Sequence, residues 1–454
     1  MKRKVYIRTF GCQMNIRDSE IILGMLQCRG YQQASSLEDA DIVLFNTCSV
    51  RQHAEQRVWG QVGALKKEIA SADCVGLAMT RKKKIIGVVG CMAQNFQEEI
   101  FRRLPHVDFV CGPANIYDIP DLINQAGHNQ HQALAVEKKQ RPLLSDAYPR
   151  KQGLKAFVSI MYGCDNFCAY CIVPYVRGRE ISRPAKHIIQ EVKDLAATGT
   201  KEVTLLGQNV NSYGRDLGGK LNFVRLLEKL DKIKDIERIR FMTSHPKDAS
   251  KPLFRALRDL PKACEHLHLP LQSGSDKILK LMNRRYSLRH YLKSIDCLRS
   301  LIPHCAITTD IIVGFPGETK ADFQETVAAM EKIKFDQAFI FKYSPRPKTK
   351  AAGLEDSVSR AEKQARNQVL LKLQEQGALK KNNQLLGKSL QVLVEGKGSG
   401  YLGNKKQAML QGRSRTNKVT LFPGPDSLIA EIVDVKINRV TARTLIGEED
   451  AKKD

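Results

Sequence analysis

Ala156-Phe157-Val158-Ser159-Ile160-Met161-Tyr162-Gly163-Cys164-Asp165-Asn166-Phe167-Cys168-Ala169-Tyr170-Cys171 carries the reading of this chain. An apolar, strand-like run over 156–161 passes through Gly163 into three cysteines within eight residues, spaced CxxxCxxC. A structural zinc site wants a fourth Cys or His to close its tetrahedron. An iron–sulfur cube also takes four ligands. Three thiols in one tight loop therefore suit a cube with one iron left open to a small chelating molecule. A zinc knuckle, or a chance group of reduced thiols, is the bland alternative.

Downstream, the pattern repeats. Strand-like runs over 156–161, 202–206, 238–242, 266–271, 306–313 and 336–343 alternate with amphipathic helical stretches. Such alternation predicts a parallel sheet with right-handed crossovers. Eight units would close a full barrel; six predict a partial barrel, open on one side. Strand C-terminal ends are where barrels build their sites. Here they read Gly207-Gln208-Asn209, Thr243-Ser244-His245-Pro246, Gln272-Ser273-Gly274-Ser275 and Gly314-Phe315-Pro316-Gly317-Glu318. Ordinary turn chemistry also favours these residue types, and His245 before Pro246 reads as a turn residue rather than a metal ligand.

Upstream, residues 1–125 repeat one design three times. A strand-like run reaches Cys12, another reaches Cys48, a third reaches Cys91, and a helical stretch follows each. Open α/β sheets place ligand sites along the carboxyl edge of their strands. Three cysteines far apart in sequence can therefore converge there on a second cluster. Cys28, Cys74, Cys264, Cys297 and Cys305 read as small apolar residues. Cys111 ends another short strand and is either an inert or a spare thiol. Residues 126–153 are polar, with Lys138-Lys139-Gln140-Arg141-Pro142, and read as a linker.

The CxxxCxxC spacing, with Tyr170 before the last cysteine, resembles the radical SAM enzymes. That resemblance implies that Cys164, Cys168 and Cys171 hold a 4Fe-4S cluster whose open iron is chelated by S-adenosylmethionine, with Tyr170 packed near the adenine. One electron then releases a 5′-deoxyadenosyl radical. Gln208, Asn209, Gln272 and Ser273 are expected to line the pocket for cofactor and target base. Gly11-Cys12-Gln13-Met14-Asn15, Asn46-Thr47-Cys48-Ser49-Val50-Arg51 and Gly90-Cys91-Met92-Ala93 resemble the methylthiotransferases within that superfamily. This implies an auxiliary 4Fe-4S cluster on Cys12, Cys48 and Cys91, which delivers sulfur carrying a methyl group. Pro174-Tyr175-Val176-Arg177-Gly178-Arg179-Glu180 and Leu206-Gly207-Gln208-Asn209-Val210-Asn211-Ser212-Tyr213 look like the MiaB branch. By that resemblance the substrate is N6-isopentenyladenosine beside the anticodon of tRNA, methylthiolated at C2. The alternatives are threonylcarbamoyl-adenosine in tRNA, a ribosomal protein, or a non-enzymatic iron–sulfur RNA-binding sensor. The stretch 71–83 and Arg346-Pro347-Lys348-Thr349-Lys350 depart from the branch's usual pattern and are expected to bear on RNA contact.

Composition agrees with such a partner. Lys plus Arg is 73 against 48 Asp plus Glu, a net charge of +25 that favours a polyanion. A charged, periodic stretch over 359–386 predicts a long helix, and 387–446 breaks into short strands with glycines between, the pattern of a small barrel. It carries Gly412-Arg413-Ser414-Arg415-Thr416-Asn417-Lys418, and Arg413, Arg415 and Lys418 are expected to track an RNA backbone. Position and sequence there resemble the TRAM module. Met1-Lys2-Arg3-Lys4-Val5-Tyr6 lacks the apolar core of a signal peptide, no apolar stretch approaches a membrane span, and twelve cysteines point to a reducing compartment. The expectation is a cytoplasmic monomer with no membrane association, reduced by a donor such as flavodoxin or ferredoxin. The fold class is α/β: an open parallel sheet domain (1–125), a partial (β/α)6 barrel (154–385) and a small β-barrel (386–450).

Overall fold

A computed structural model describes residues 2–49, 55–65, 84–128, 132–137, 148, 150, 152–218, 221–402 and 405–450. Val50, Arg51, Cys74, the stretch 71–83 and the run Lys138-Lys139-Gln140-Arg141-Pro142 lie outside them.

The N-terminal sheet has six strands, all parallel, in the spatial order Gln32–Gln33, Lys4–Phe10, Ile42–Thr47, Ile85–Gly90, Phe109–Cys111, Ala133–Ala135. Ile42–Thr47 and Ile85–Gly90 are buried at every position, as central parallel strands must be when both faces are covered. Alternation then sorts the side chains. Ile42 and Leu44 meet Ile21, Ile22 and Ile123 on one face, whereas Val43 and Phe45 meet Val58, Val62 and Met92 on the other. The strand Ala133–Ala135 comes from the segment expected to be a linker. It pairs with Phe109–Cys111 and completes the sheet. Chain order reverses between Lys4–Phe10 and Ile42–Thr47, and such a switch point opens a crevice at the carboxyl ends.

The central domain has its six strands in two three-stranded sheets. One runs Lys155–Ser159, Glu202–Leu206, Arg238–Phe241; the other runs His266–His268, Ala306–Val313, Gln337–Lys342. Between them the ladder thins to a single parallel bridge, Ile239 with Ala263, and a weak Ser244 N–H to His268 O contact of 3.4 Å. The fourth strand is shorter than its sequence pattern predicts. Its continuation re-enters the sheet only at Gln272, in the left-handed region at φ 71°, where Gln272 N donates to Asp310 O at 2.8 Å. Helices Ala185–Ala197, Phe223–Asp231, Lys251–Asp259, Leu288–Leu301 and Lys320–Ile333 cover the outer face, where Ile239, Phe241, Leu267, Ile307 and Ile311 join them in one core. The alternate positions Arg238, Arg240, His266, His268, Thr308 and Asp310 stay out of that core. The inner face is thus polar.

Ser359 caps the helix Arg360–Asn383 by accepting from Glu362 N, which starts it where the charged periodicity begins. It leads into a closed five-stranded barrel, ordered Ser389–Leu402, Lys405–Ser414, Val419–Phe422, Thr444–Glu449, Ile432–Val440. Val392, Val394, Leu410, Phe422, Val435, Ile437 and Leu445 fill it. Among the described residues no helix is long and apolar enough to cross a membrane.

Candidate active site

Cys12, Cys48 and Cys91 each follow the carboxyl end of one of three adjacent strands, around the switch point. The turns there are tightly specified. Asn15 Nδ2 donates to Asn46 Oδ1 and Thr47 O, both at 3.1 Å, and Asn46 Nδ2 returns a bond to Asn15 O at 2.8 Å. These two asparagines clamp the Cys12 turn to the Cys48 strand. Gly90 sits at φ 95°, where an added Cβ would lie 2.5 Å from Asn46 Oδ1 and 2.6 Å from Thr47 O, so only glycine lets Cys91 approach. Cys48 and Cys91 are buried and Cys12 is exposed, which gives the triad one open side.

The central domain completes this triad. Arg177, from the short helix-turn after the CxxxCxxC loop, donates through Nε to Cys91 Sγ at 3.2 Å and through Nη2 to Asp18 Oδ2 at 2.9 Å. Its side chain is 4% exposed, and Nη1 is buried without a hydrogen-bond partner among the described residues. A hydrogen bond from Cys48 and the charge of Arg177 hold the Cys12 thiol down to about 6. Burial pushes the Cys91 thiol up, against Arg177.

The second triad is local. Gly163 turns at φ 73°, where an added Cβ would lie 1.9 Å from Arg179 O. Cys164, Cys168 and Cys171 then wrap one loop. Arg284 reaches it, donating through Nη1 to Cys168 Sγ at 3.2 Å and to Tyr170 Oη at 3.4 Å. Asn166 Nδ2 donates to Cys164 Sγ at 3.4 Å. Burial pushes the Cys164 thiol up to about 11 and that of Cys171 up to about 12, with the Cys168 thiol nearby adding to both. Among the described residues no carboxylate pairs with the buried Arg284.

Among the described residues, no three Cys, His, Asp or Glu side chains converge as a single ion requires. A cube asks for something wider, one thiolate on each of three irons. Two triads, each with a buried guanidinium on a ligand sulfur, fit anionic thiolate clusters, because such a charge needs a counter-charge in the interior. The two sites are neighbours: Cys91 packs against Ile172, the residue after Cys171, and against Val176. Met14, two residues after Cys12, packs on Tyr162, Leu206, Phe157 and Met242 at the strand ends of the barrel.

The strand-end residues divide. Gln208, Asn209 and Gln272 each keep a buried side-chain oxygen with no hydrogen-bond partner among the described residues. An unmet buried acceptor costs about 1–3 kcal/mol, so these three point to a ligand. Asn209 is held by Nδ2 donating to Asp248 Oδ2 at 2.8 Å. The hydroxyl of Ser273 is fully buried against Thr326 Oγ1 and accepts from Ser275 N, which spends it on shaping the turn. His245 caps a turn by accepting from Lys247 N at 3.2 Å. Cys111 lies in the sheet core with its thiol donating to Asn115 O at 3.2 Å. Arg177 and Arg284 went unassigned in the sequence; the arginines Arg177 and Arg179 just after the thiol loop were an available signal, whereas Arg284 lies too far along the chain to give one.

Arg413, Arg415 and Lys418, expected to track an RNA backbone, sit half-buried against other parts of the chain. Arg238 and Arg240, from the inner face of the partial barrel, donate to the backbone oxygens of Arg413, Ser414 and Arg415 at 2.6–2.7 Å. Arg415 forks onto Glu265, and Lys418 Nζ meets Asp336 Oδ1 at 2.9 Å. Arg413 donates to Asn417 O at 3.2 Å and faces Glu395 Oε1 at 3.5 Å. The cations serve as a dock because acidic partners on the barrel lie within reach. Arg346 and Lys348 likewise reach across to the N-terminal domain, Arg346 buried and Lys348 exposed. Arg346 Nη1 meets Glu55 Oε2 at 2.9 Å, both buried, and Lys348 Nζ donates to Asn95 O.

Comparison with known proteins follows these domains. Residues 4–112 match the Uncharacterized protein family UPF0004, residues 158–330 the radical SAM superfamily and residues 383–448 the TRAM domain. The radical S-adenosylmethionine methyltransferase TsrM of Kitasatospora setae, solved with cobalamin and a 4Fe-4S cluster, shares the fold at TM-score 0.55 and 12% identity, over 78% of this chain and 74% of that one. A protein of Thermoanaerobacter sp. (strain X514) named tRNA-2-methylthio-N(6)-dimethylallyladenosine synthase is 50% identical over 98% of this chain and 92% of its own length. Proteins of the same name from Caldicellulosiruptor saccharolyticus and Pelotomaculum thermopropionicum are 47% and 46% identical, each over 98% of this chain and 93% and 97% of their own length. With both thiol triads and all three domains in place, the chain belongs to the family of radical SAM tRNA-2-methylthio-N(6)-dimethylallyladenosine synthases.

Proposed function

We propose that this chain methylthiolates C2 of N6-isopentenyladenosine (N6-dimethylallyladenosine) beside the anticodon of tRNA. The observation that carries the reading is the meeting of two thiol triads at the mouth of one barrel, with Arg177 spanning both domains. C2 of adenine is aromatic and unactivated, so hydrogen removal needs a radical, and a sulfur source has to lie within bonding distance. When bound, S-adenosylmethionine and the two 4Fe-4S clusters supply that radical and that sulfur.

The residues supply the rest. Cys164, Cys168 and Cys171 would hold the radical-generating cluster, with Arg284 neutralising it and Tyr170 fixed beside it. Cys12, Cys48 and Cys91 would hold the auxiliary cluster, with Arg177 as counter-charge. Gln208, Asn209 and Gln272 present acceptors for amino and hydroxyl groups of cofactor and base. The polar inner face continues below. His266 and His268 share Thr308 Oγ1 at 3.1 and 3.0 Å, and His268 Nε2 meets Asp310 Oδ2 at 3.3 Å. Burial and Arg240 push the His266 imidazole down to about 3, so it stays neutral. The target base has to leave its stack to enter, which costs a few kcal/mol less from a single-stranded loop than from a duplex. Both sites are complete within one chain, which suits a monomer, acting in the cytoplasm with an electron carrier such as flavodoxin or ferredoxin.

Nucleoside mass spectrometry of tRNA tests the reaction, in cells lacking their own methylthiolation enzyme, with and without this chain. Appearance of 2-methylthio-N6-isopentenyladenosine is expected. Its absence with both clusters assembled would turn the assignment to threonylcarbamoyl-adenosine or a ribosomal protein.

A further inference from the structure

The radical SAM reading requires one electron from outside, and residues 282–284 lie directly against the CxxxCxxC loop. We infer that the surface of residues 280–287 docks a small acidic one-electron carrier protein of the flavodoxin or ferredoxin class. This rests on the function proposed above.

Three consecutive residues of the thiol loop are bonded to three consecutive residues of this segment. Asn283 Nδ2 donates to Phe167 O at 2.9 Å, Arg284 Nη1 to Cys168 Sγ at 3.2 Å, and Ala169 N to Met282 O at 2.9 Å. The segment is therefore the layer between the loop and solvent. Its backbone is held unusually: Asn283 and Arg285 adopt φ 56° and 57°, a region that side chains other than glycine seldom occupy. The result sends neighbouring arginines in opposite directions. Arg284 is buried on a ligand sulfur and Arg285 is exposed.

The outer surface is concave and lined by Asp276, Lys280, Asn283, Arg285, Tyr286 and Ser287. Lys280 and Arg285 are exposed, and among the described residues neither forms an ion pair. Asp276, the one acidic lining residue among those described, is committed to Leu288 N at 2.6 Å. Leu281 stands 42% exposed beside Lys280 in the chain. Two free cations around a shallow hollow, with an apolar side chain adjoining, suit an acidic protein surface: charge steers the encounter and apolar contact seats it. A polyphosphate backbone would draw on many more cations than two. In the step itself the carrier would give up one electron to the cluster that Cys164, Cys168 and Cys171 would hold. No bond forms or breaks.

Two measurements on the iron-loaded protein test this, and neither needs tRNA or product, so they stand apart from the test of substrate. Lys280→Glu and Arg285→Glu are mixed with reduced flavodoxin and its reoxidation is followed by stopped flow. The second-order rate should fall about tenfold in each and, in the wild type, fall with added salt. Reduction by dithionite, iron content and tRNA affinity should not change. Separately, carbodiimide coupling of the wild-type protein to flavodoxin should join Lys280 to a carrier carboxylate, read by peptide mapping. Unchanged rates in both variants, loss of tRNA affinity with normal reduction, or cross-links that all lie elsewhere would each overturn the proposal. Should Arg285→Glu disturb the loop and lose dithionite reduction, Lys280→Glu and the cross-link decide it, because among the described residues the Lys280 side chain forms no hydrogen bond or ion pair with the loop.

Discussion

The two thiol triads do related work and are built in opposite ways. Cys164, Cys168 and Cys171 occupy one loop, and burial raises the thiols at both ends of it. Cys12, Cys48 and Cys91 come from three strand ends, and their counter-charge arrives from another domain through Arg177. The thiols of the first site come from eight residues, and its guanidinium, Arg284, comes from the same domain. The second exists only when the sheet is formed and the central barrel is docked on it. Damage to the docking should therefore reach the second site first.

The largest effects separate the triads outright. Cys171→Ala should abolish both S-adenosylmethionine cleavage and methylthiolation. Cys48→Ala should abolish methylthiolation and leave 5′-deoxyadenosine formation intact, as chromatography of dithionite-reduced reactions would show. Loss of both activities in a folded Cys48→Ala protein would sink this division.

Next comes the interface that holds the second site together. Glu191 is buried among Arg183, Arg17 and Arg150, at 2.7, 3.0 and 2.6 Å. Burial alone would raise its carboxyl, but the three guanidinium groups hold it low. Glu191→Ala leaves buried cations uncompensated and should cost about 3–5 kcal/mol in urea unfolding. An unaltered midpoint would mean that packing, not charge, secures the domains.

Arg177→Gln probes the bridge itself. Removing an outer partner of a metal ligand typically costs about 10–100-fold in metal affinity. Auxiliary-cluster iron should be lost while the CxxxCxxC cluster and S-adenosylmethionine cleavage persist, with Arg177→Lys intermediate. Equal loss of iron from both sites would erase the contrast.

The smallest effect belongs to the small barrel's dock. Asp336 takes Lys381 at 2.6 Å and Lys418 at 2.9 Å. Burial opposes its charge, yet the two lysines keep its carboxyl below the ordinary value. A depressed folded-state pKa contributes stability above the unfolded value near 3.9 and loses it as pH falls through the folded one. Docking should therefore hold at neutral pH and weaken below about pH 4. Asp336→Asn should flatten that acid limb and cost about 1 kcal/mol at pH 7, read from pH-dependent hydrogen exchange across 413–418. An identical acid limb in the variant would remove Asp336 from the account.

Much of this was legible in the chain. CxxxCxxC is a local pattern, and the strand ends at Cys12, Cys48 and Cys91 follow from hydrophobic runs and their turns. The sixth strand, Ala133–Ala135, was not legible, because three residues at a sheet edge carry no periodicity. The fourth barrel strand looked longer than it is, because an apolar run does not reveal the left-handed turn at Gln272.

The sequence by itself determined the order of domains, the loop triad and the alternation that makes one barrel face apolar, since each depends on residues close together in the chain. Only the tertiary structure decided what the cations do. Arg177, Arg284, Arg346, Arg415 and Lys418 are alike in composition. Yet two lie on thiols, and three fasten domains to Glu55, Glu265 and Asp336. A basic residue advertises its charge in the sequence, but its partner is set by which distant element is brought within about 3 Å.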